Sequence, residues 1–164
     1  KIEERLLALA GAHDVLTREN WHSADIRELV QAAAELHGGE RGERFEIDGG
    51  SCRLDPRRAL ALAMALHELG TNAAKHGALS GAGGRVHVQW AQRRVDGREV
   101  IELEWREQDG PPVQPPSQRG FGSRLLERGL KHDLGGEVDL TFEPDGLRYR
   151  VSMPQGDDTV QVHP

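Results

Sequence analysis

The stretch from His67 to Ser80, HELGTNAAKHGALS, constrains the fold most, because an apolar and a polar helical face meet there. The apolar face recurs every three or four residues and predicts a long, half-buried helix: Leu62, Leu66, Leu69 and Ala73. The polar stripe has the same spacing on another face: Glu68, Asn72, Lys75 and His76. Its carboxylate and amide oxygens suit a hard cation such as Mg²⁺, and a lysine suits the phosphates that the cation carries. Taken alone, the stripe fits a solvated helix face capped by Gly77 equally well.

Composition narrows the classes of function. The 164 residues amount to one domain, and a net charge of −6 without a Lys/Arg run argues against a nucleic-acid partner. The single cysteine, Cys52, excludes an internal disulfide and fits the reducing cytoplasm, where we expect the protein. No apolar run approaches the ~18 residues of a membrane span, so we expect no membrane contact. Because the chain starts at Lys1 rather than Met, we expect an excised fragment.

The first residues carry a heptad seam on a helix predicted from about Lys1 to Arg18: Ile2, Leu6, Leu9, His13 and Leu16. Two heptads cannot sustain a coiled coil alone, so the sequence predicts a remnant, residues 1–20, of a longer helical region. His13 lies on the seam, where a buried, hydrogen-bonded histidine is the ordinary interpretation.

Elements before the central helix follow from local signals. Ser23 is predicted to cap a second helix that ends at Gly38-Gly39. Apolar residues alternating on either side of Asp48-Gly49-Gly50 predict a short hairpin. Asp55-Pro56 supplies an N-cap and a first-turn proline for the central helix.

Strand patterns dominate the second half of the chain. Two alternating runs around Asp96-Gly97 predict one hairpin, and two more around Asp145-Gly146 predict another. Between them lie a proline-rich connection and a third helix, carrying Leu125 to Leu134 and ended by Gly135-Gly136. We therefore expect an α/β two-layer sandwich over residues 21–154, in which helices cover one face of a mixed, mostly antiparallel sheet. Residues 155–164 are expected to form a flexible tail.

Two further stretches carry chemistry. Glu107 keeps the parity of Leu103 and Trp105 and so points to the covered face where its strand ends. At a pocket mouth its carboxylate could accept a hydrogen bond from an amino group such as that of adenine. Gly120-Phe121-Gly122-Ser123 opens the third helix, where backbone amides favour a phosphate, although a lone pair of glycines also fits an ordinary turn.

With these residues in place, the chain resembles the ATP-binding domain of sensor histidine kinases, and more narrowly the HWE class. That class is named for a histidine in the asparagine box, here His67, and a Trp-x-Glu, here Trp105-Arg106-Glu107. The segments HELGTNAAKHGALS, WREQDGPPV and GFGSRLLE lie where the family has them, and the resemblance runs from about Leu6 to Pro154.

The resemblance implies the Bergerat (GHKL) fold with ATP and Mg²⁺ as cofactors. Asn72 would ligate the metal, Glu68 would lie near the γ-phosphate, and Lys75 would contact phosphate. Glu107 would replace the aspartate that other kinases use to bind adenine. The implied nucleotide pocket is completed by His76, Gly110, Gly120, Phe121, Gly122 and Ser123.

The resemblance also implies partners. The γ-phosphoryl group would be transferred to a histidine on a dimerisation helix outside this chain, and then to a response regulator. The full-length protein could form a homodimer. Asp109 stands where the family has a glycine, and His76 where a tyrosine is common. Two alternatives remain at this stage: a GHKL-type ATPase with Glu68 as the base, or a degenerate nucleotide-binding module without kinase activity.

Overall fold

The computed structural model describes residues 23–37, 43–111 and 125–154. In chain order the elements are β1 (Ala24–Asp25), α1 (Ile26–His37), β2 (Phe45–Asp48), β3 (Arg53–Leu54), α2 (Pro56–His76), β4 (Arg85–Val95), β5 (Arg98–Gln108), α3 (Lys131–Leu134), β6 (Glu137–Glu143) and β7 (Gly146–Pro154). A 3₁₀ turn, Ala78–Ser80, follows α2, and a π-helical turn, Leu125–Gly129, precedes α3. The predicted first helix with His13, and the predicted tail, lie outside the described residues.

Five strands form one mixed sheet in the order β2-β4-β5-β7-β6. Only the β2–β4 pairing is parallel, and the other three pairings are antiparallel. Helices cover one face of this sheet, and α2 lies against it with Leu62, Leu66 and Leu69 at most 1% exposed. The expected two-layer α/β sandwich with a mostly antiparallel sheet is therefore confirmed.

Local signals set the ends of α2 as predicted. The Asp55 side chain accepts a hydrogen bond from the Arg58 amide at 2.9 Å, and Pro56 occupies the first turn. Arg58 also donates to the Leu134 carbonyl at 3.1 Å, so the start of α2 is tied to the end of α3. At the other end, the Gly77 amide donates to the Ala73 carbonyl at 3.0 Å.

The two long hairpins also match the sequence prediction. Asp96 and Gly97 have φ values of 52° and 79°, as the tight turn between β4 and β5 requires. Strand β6 turns into β7 through two residues, because Glu143 pairs with Gly146. The sequence did not predict how the two hairpins pair with each other: β5 pairs with β7, which places the last strand inside the sheet and leaves β6 at its edge.

Two local predictions are wrong. No hairpin forms around Asp48–Gly50, because β2 pairs in parallel with β4 and β3 pairs with β1 in a separate two-stranded sheet. Ser23 does not cap α1, since the Asp25 carboxylate accepts from the Arg27 amide at 3.0 Å and Ser23 accepts from Arg53. In the first case a tertiary strand partner competes with the local turn signal, whereas in the second the local cap is supplied by Asp25 and Ser23 bonds to Arg53 instead.

The third predicted helix is described only from Leu125 onward. It is broken there into the π-helical turn and α3, which ends at Gly135 with a left-handed φ of 75°. Among the described residues, no helix combines the length and apolar character needed to cross a bilayer.

Candidate functional site

The polar stripe of α2 runs from the core to the surface. Glu68 is buried at 4% exposure, Asn72 is half-buried, and Lys75 and His76 are exposed. The apolar face beside them is fully packed, with Ala73 at 0% exposure. The stripe therefore presents a carboxylate, an amide and two basic groups in one line along the last turns of the helix.

A buried carboxylate stands next to the end of that helix. Glu107 is 2% exposed, and its Oε1 accepts from the Ala78 amide at 2.9 Å, two residues beyond the end of α2. Its Oε2 accepts from the indole Nε1 of Trp105 at 3.1 Å. Burial raises the pKa of Glu107, and these two hydrogen bonds oppose the increase. The predicted inward orientation is confirmed, but the described residues enclose the carboxylate rather than leaving it at an open mouth.

Glycines make room for this contact. A Cβ on Gly77 would lie 2.1 Å from Glu107 Oε1, and one on Gly146 would lie 2.3 Å from the Glu107 carbonyl oxygen. A Cβ on Gly84 would lie 1.9 Å from the Ala78 carbonyl oxygen, and one on Gly110 would lie 2.5 Å from the Ala78 Cα. Real Cβ atoms do not approach so closely, so the chain segments can meet at Ala78 and Glu107 because these four positions lack side chains.

Arg44 holds the segment after α2 from the other side. Its guanidinium donates to the carbonyl of Ala78 at 2.8 Å and to that of Gly84 at 2.9 Å. It also donates to the carbonyls of Leu79 and Gly81. The amide of Ala78 is thus held by Glu107 and its carbonyl by Arg44, which fixes the backbone where the polar stripe ends. Sequence reasoning missed Arg44. No local sequence pattern predicts that an arginine side chain will contact a loop more than 30 residues further along the chain.

The other predicted site residues fall into two groups. Gly110 packs on Ala78, and Asp109 before it has a positive φ of 58°, a conformation that glycine adopts without strain. Asp109 therefore occupies, with some strain, a turn that suits the glycine common in the family. The second group lies outside the described residues: Gly120, Phe121, Gly122 and Ser123.

The segment that follows the second group is anchored in the core. Tyr149 is fully buried, and its hydroxyl donates to the carbonyl of Leu126, in the π-helical turn, at 3.3 Å. Burial raises the pKa of Tyr149 well above its ordinary value, so the hydroxyl stays protonated and remains a donor. π-Helical turns recur at functional sites, but no sequence pattern predicted this one.

His67, which marks the asparagine box, is not part of the exposed stripe. It is 4% exposed, and its ring centroid lies 5.3 Å from that of His37 on α1. A Cβ on Gly70 would lie 2.3 Å from the His37 ring, so the two helices approach closely at this point. His67 therefore serves the packing between α1 and α2.

The donor set fits Mg²⁺ carried by a nucleotide. Within the described ranges, no three His, Cys, Asp or Glu side chains cluster as a ready-made metal site. Mg²⁺ commonly takes only one or two protein ligands beside the phosphates of its nucleotide, and the stripe offers an amide at Asn72 and a carboxylate at Glu68.

Two clefts lie apart from the stripe. A cleft of about 630 Å³ opens on the uncovered face of the sheet, between residues such as Gln89, Glu104 and Arg150. A second cleft, of about 460 Å³, borders Asp109, Gly110 and Asp145 at the end of β5. Only Gly110 belongs to the predicted site, so neither cleft outlines the nucleotide pocket within the described residues.

The fold and this site define a class of protein. The structure superposes on the histidine kinase domain of the Erythrobacter litoralis EL346 blue-light-activated histidine kinase with a TM-score of 0.70. That match has 17% identity and covers 98% of this chain and 77% of that one. Histidine kinase ThkA in complex with the response regulator TrrA matches with a TM-score of 0.56 at 13% identity, over 82% of this chain and 41% of that one. The fold is that of histidine kinase catalytic domains.

Sequence comparison finds similarity to one family of histidine kinases. Residues 1–51 match the HWE histidine kinase family. A blue-light-activated histidine kinase of Brucella anthropi is 37% identical over 155 residues, which are 94% of this chain and 32% of that protein. The chain is thus similar to HWE histidine kinases, and it spans about a third of the length of the curated relatives it matches.

Proposed function

We propose that this chain is the catalytic domain of a sensor histidine kinase, which binds Mg·ATP and donates the γ-phosphoryl group to a histidine outside these residues. The observation that carries the proposal is the hydrogen bond from the Ala78 amide to Glu107 Oε1, at 2.9 Å. It joins the end of the polar stripe on α2 to the buried carboxylate on β5. This contact supports the proposal that a group suited to metal and phosphate and a group suited to an amino-bearing base belong to one site.

Each end of the site has a proposed role. At the phosphate end, Asn72 holds the metal, Glu68 lies near the γ-phosphate, and Lys75 and His76 contact the nucleotide. At the base end, Glu107 would accept a hydrogen bond from adenine, with Gly110 nearby in the chain. The phosphate end is completed by the glycine-rich segment: Gly120, Phe121, Gly122 and Ser123. Phosphoryl transfer depends mainly on positioning and charge neutralisation, which these groups supply.

The kinase is favoured over the two alternatives. Both the family match and the relatives are histidine kinases, rather than GHKL-type ATPases or modules without activity. The residues that a degenerate module would lose, Asn72 and Glu107, are both present. Steady phosphate release without an acceptor would instead favour an ATPase with Glu68 as the base.

The remaining partners follow from the same proposal. Residues 1–20 would belong to the dimerisation region, 21–154 to the catalytic domain and 155–164 to a tail. The phosphoacceptor helix would lie in the same protein, with a homodimer as one arrangement. A response regulator would receive the phosphoryl group, as the ThkA–TrrA complex suggests, and the reaction would take place in the cytoplasm.

Nucleotide titration of the chain with and without Mg²⁺ tests the proposal. We expect ATP and ADP to bind in a Mg²⁺-sensitive manner, and Asn72→Ala to remove most of that sensitivity, because the helix loses its amide oxygen. Thr71→Ala, one position earlier on α2, is the matched control and should keep the wild-type response. Equal Mg²⁺ dependence in wild type and Asn72→Ala would remove Asn72 from the site.

Incubation with γ-labelled ATP tests the direction of transfer. The chain alone should not label itself, whereas a dimerisation segment supplied in the same or a partner chain should acquire acid-labile, base-stable label. Asn72→Ala should abolish that transfer. Stoichiometric self-labelling that disappears in His13→Gln would show that the phosphoacceptor has been misplaced.

A further inference from the structure

The carboxylate of Glu107 is held at both oxygens by neutral donors. Oε1 accepts from the Ala78 amide and Oε2 from the Trp105 indole, at 2.9 and 3.1 Å. Among the described residues, no ion pair includes Glu107, although the side chain is only 2% exposed. A buried carboxylate without a cation depends on such hydrogen bonds to remain ionised.

Trp105 is itself fixed in place. It is fully buried, and its ring meets that of Phe45 edge-on, with centroids 5.4 Å apart and planes at 76°. Trp105 and Glu107 are two residues apart on β5, so their side chains share the covered face of the sheet. The indole N–H therefore reaches the carboxylate from a position that packing determines.

We propose that Trp105 is a positioning residue for base recognition, which together with the Ala78 amide holds the Glu107 carboxylate in one orientation. This inference rests on the proposed function. An ionised carboxylate has about four acceptor sites, of which the two observed bonds use two. Because both oxygens are held, the carboxylate cannot rotate, and its remaining acceptor sites keep fixed directions. A fixed acceptor favours the amino group of adenine over the carbonyl of guanine.

Loss of the indole N–H should weaken this selection in two ways. One oxygen would lose its partner, so the carboxylate could rotate away from the base. The ionised form would also be less stabilised, and a protonated carboxyl group can donate to a carbonyl. Both changes reduce the preference for ATP over GTP, and neither affects the metal end of the site.

Trp105→Phe tests the proposal, with Trp90→Phe as the matched control. Both variants remove one buried indole N–H and keep an aromatic ring, but that of Trp90 donates to the Gly50 carbonyl at 2.9 Å. Dissociation constants for ATP and GTP are measured for each variant with and without Mg²⁺, after circular dichroism and thermal unfolding confirm that it is folded.

We expect Trp105→Phe to bind ATP about three- to tenfold more weakly, with GTP affinity unchanged or raised and the Mg²⁺ dependence retained. Trp90→Phe should keep ATP affinity and the ATP-to-GTP ratio within about twofold of wild type, because its hydrogen bond lies elsewhere. A wild-type ratio in folded Trp105→Phe would overturn the positioning role while leaving the proposed function intact. Absence of any nucleotide binding by the wild-type chain would instead refute the proposed function, and this inference with it.

Glu107→Gln gives a second measurement if Trp105→Phe does not fold. The amide can still accept from Ala78, but its NH₂ group would face the indole N–H donor and the amino group of the base. We expect the ATP preference to be lost. A retained preference would show that Glu107 does not select the base, and the proposal for Trp105 would fail.

Discussion

Trp90 and Trp105 lie on neighbouring strands and point to the same covered face of the sheet, yet their indole N–H groups meet different acceptors. Trp90 donates to the carbonyl of Gly50, and the guanidinium of Arg27 lies 5.6 Å from its ring centroid. We call this group, with Gly49, the Trp90 corner. Trp105 donates to a buried carboxylate, and Glu107, Gly77 and Ala78 complete the Trp105 corner.

The two corners differ in their charged or titratable group and in how far that group is buried. In the Trp90 corner the cation is only partly buried and also donates to the carbonyl of Gly49, so the charge is well solvated and bonded. In the Trp105 corner the titratable group is a carboxyl group that is buried and bonded by neutral donors only, and burial raises its pKa. The first arrangement closes a loop onto the sheet. The second fixes the backbone after α2 and also places a buried carboxyl group with a shifted pKa next to the polar stripe, and such groups are common in binding sites.

Glu107→Gln should give the largest effect of the changes that separate the two corners. Replacing an acceptor by a donor at the base should weaken ATP binding by about 10- to 100-fold, since a hydrogen bond to a charged group contributes about 1.5–3 kcal/mol. Isothermal titration with ATP measures the change. Glu102→Gln is the control, because Glu102 lies on the same strand but pairs with Arg93 on the open face. If both variants bind ATP equally, Glu107 does not contact the nucleotide.

Replacing Gly77 or Gly49 with alanine should distinguish an effect on the free energy of unfolding from an effect on ATP binding. A Cβ on Gly77 would lie 2.1 Å from Glu107 Oε1, and one on Gly49 would lie 2.1 Å from the Trp90 ring. Each substitution should lower the free energy of unfolding by about 1–3 kcal/mol through overpacking. Only Gly77→Ala should also weaken ATP binding, because only it displaces the carboxylate.

Gly81→Ala and Gly50→Ala are the controls for these two substitutions. A Cβ at either position has no atom within 4 Å, so urea denaturation and ATP titration should both stay near wild type. If Gly77→Ala and Gly49→Ala lose the same amount of ATP affinity, the loss is caused by general destabilisation and not by displacement of the carboxylate.

The smallest difference between the two corners should appear in the pH dependence of the free energy of unfolding. Burial raises the pKa of Glu107 in the folded state above its ordinary 4.5, so the folded protein binds this proton more tightly than the unfolded chain does. The resulting stabilisation is present below about pH 4.5 and is lost as the pH rises through the folded-state pKa. Urea denaturation from about pH 4 to pH 7 should therefore show wild type losing stability relative to Glu107→Gln.

Trp90→Phe provides the reference for that measurement. The residues that define the Trp90 corner include no carboxylate and no histidine, so the stability difference between this variant and wild type should be constant with pH. A constant difference for Glu107→Gln as well would show that the carboxylate is not desolvated by the fold.

The sequence by itself determined the elements that depend on local periodicity and local capping. The apolar face of α2, its Asp55 cap, the turn at Asp96-Gly97 and the inward orientation of Glu107 follow from spacing alone, because helix and strand periods fix which residues share a face. The predicted polar stripe also lies on one side of α2, although the spacing did not predict that its first residue, Glu68, is buried. The family resemblance was likewise available from short motifs.

Only the tertiary structure decided which segments meet. The parallel pairing of β2 with β4 replaced the hairpin expected at Asp48–Gly50, since the strand edge of β4 was a better partner than the adjacent segment. The hydrogen bonds of Glu107 to Ala78 and Trp105, and those of Arg44 to the segment after α2, join residues up to 40 positions apart. Sequence spacing cannot predict such contacts, because they depend on how closely backbones pack where glycines leave room.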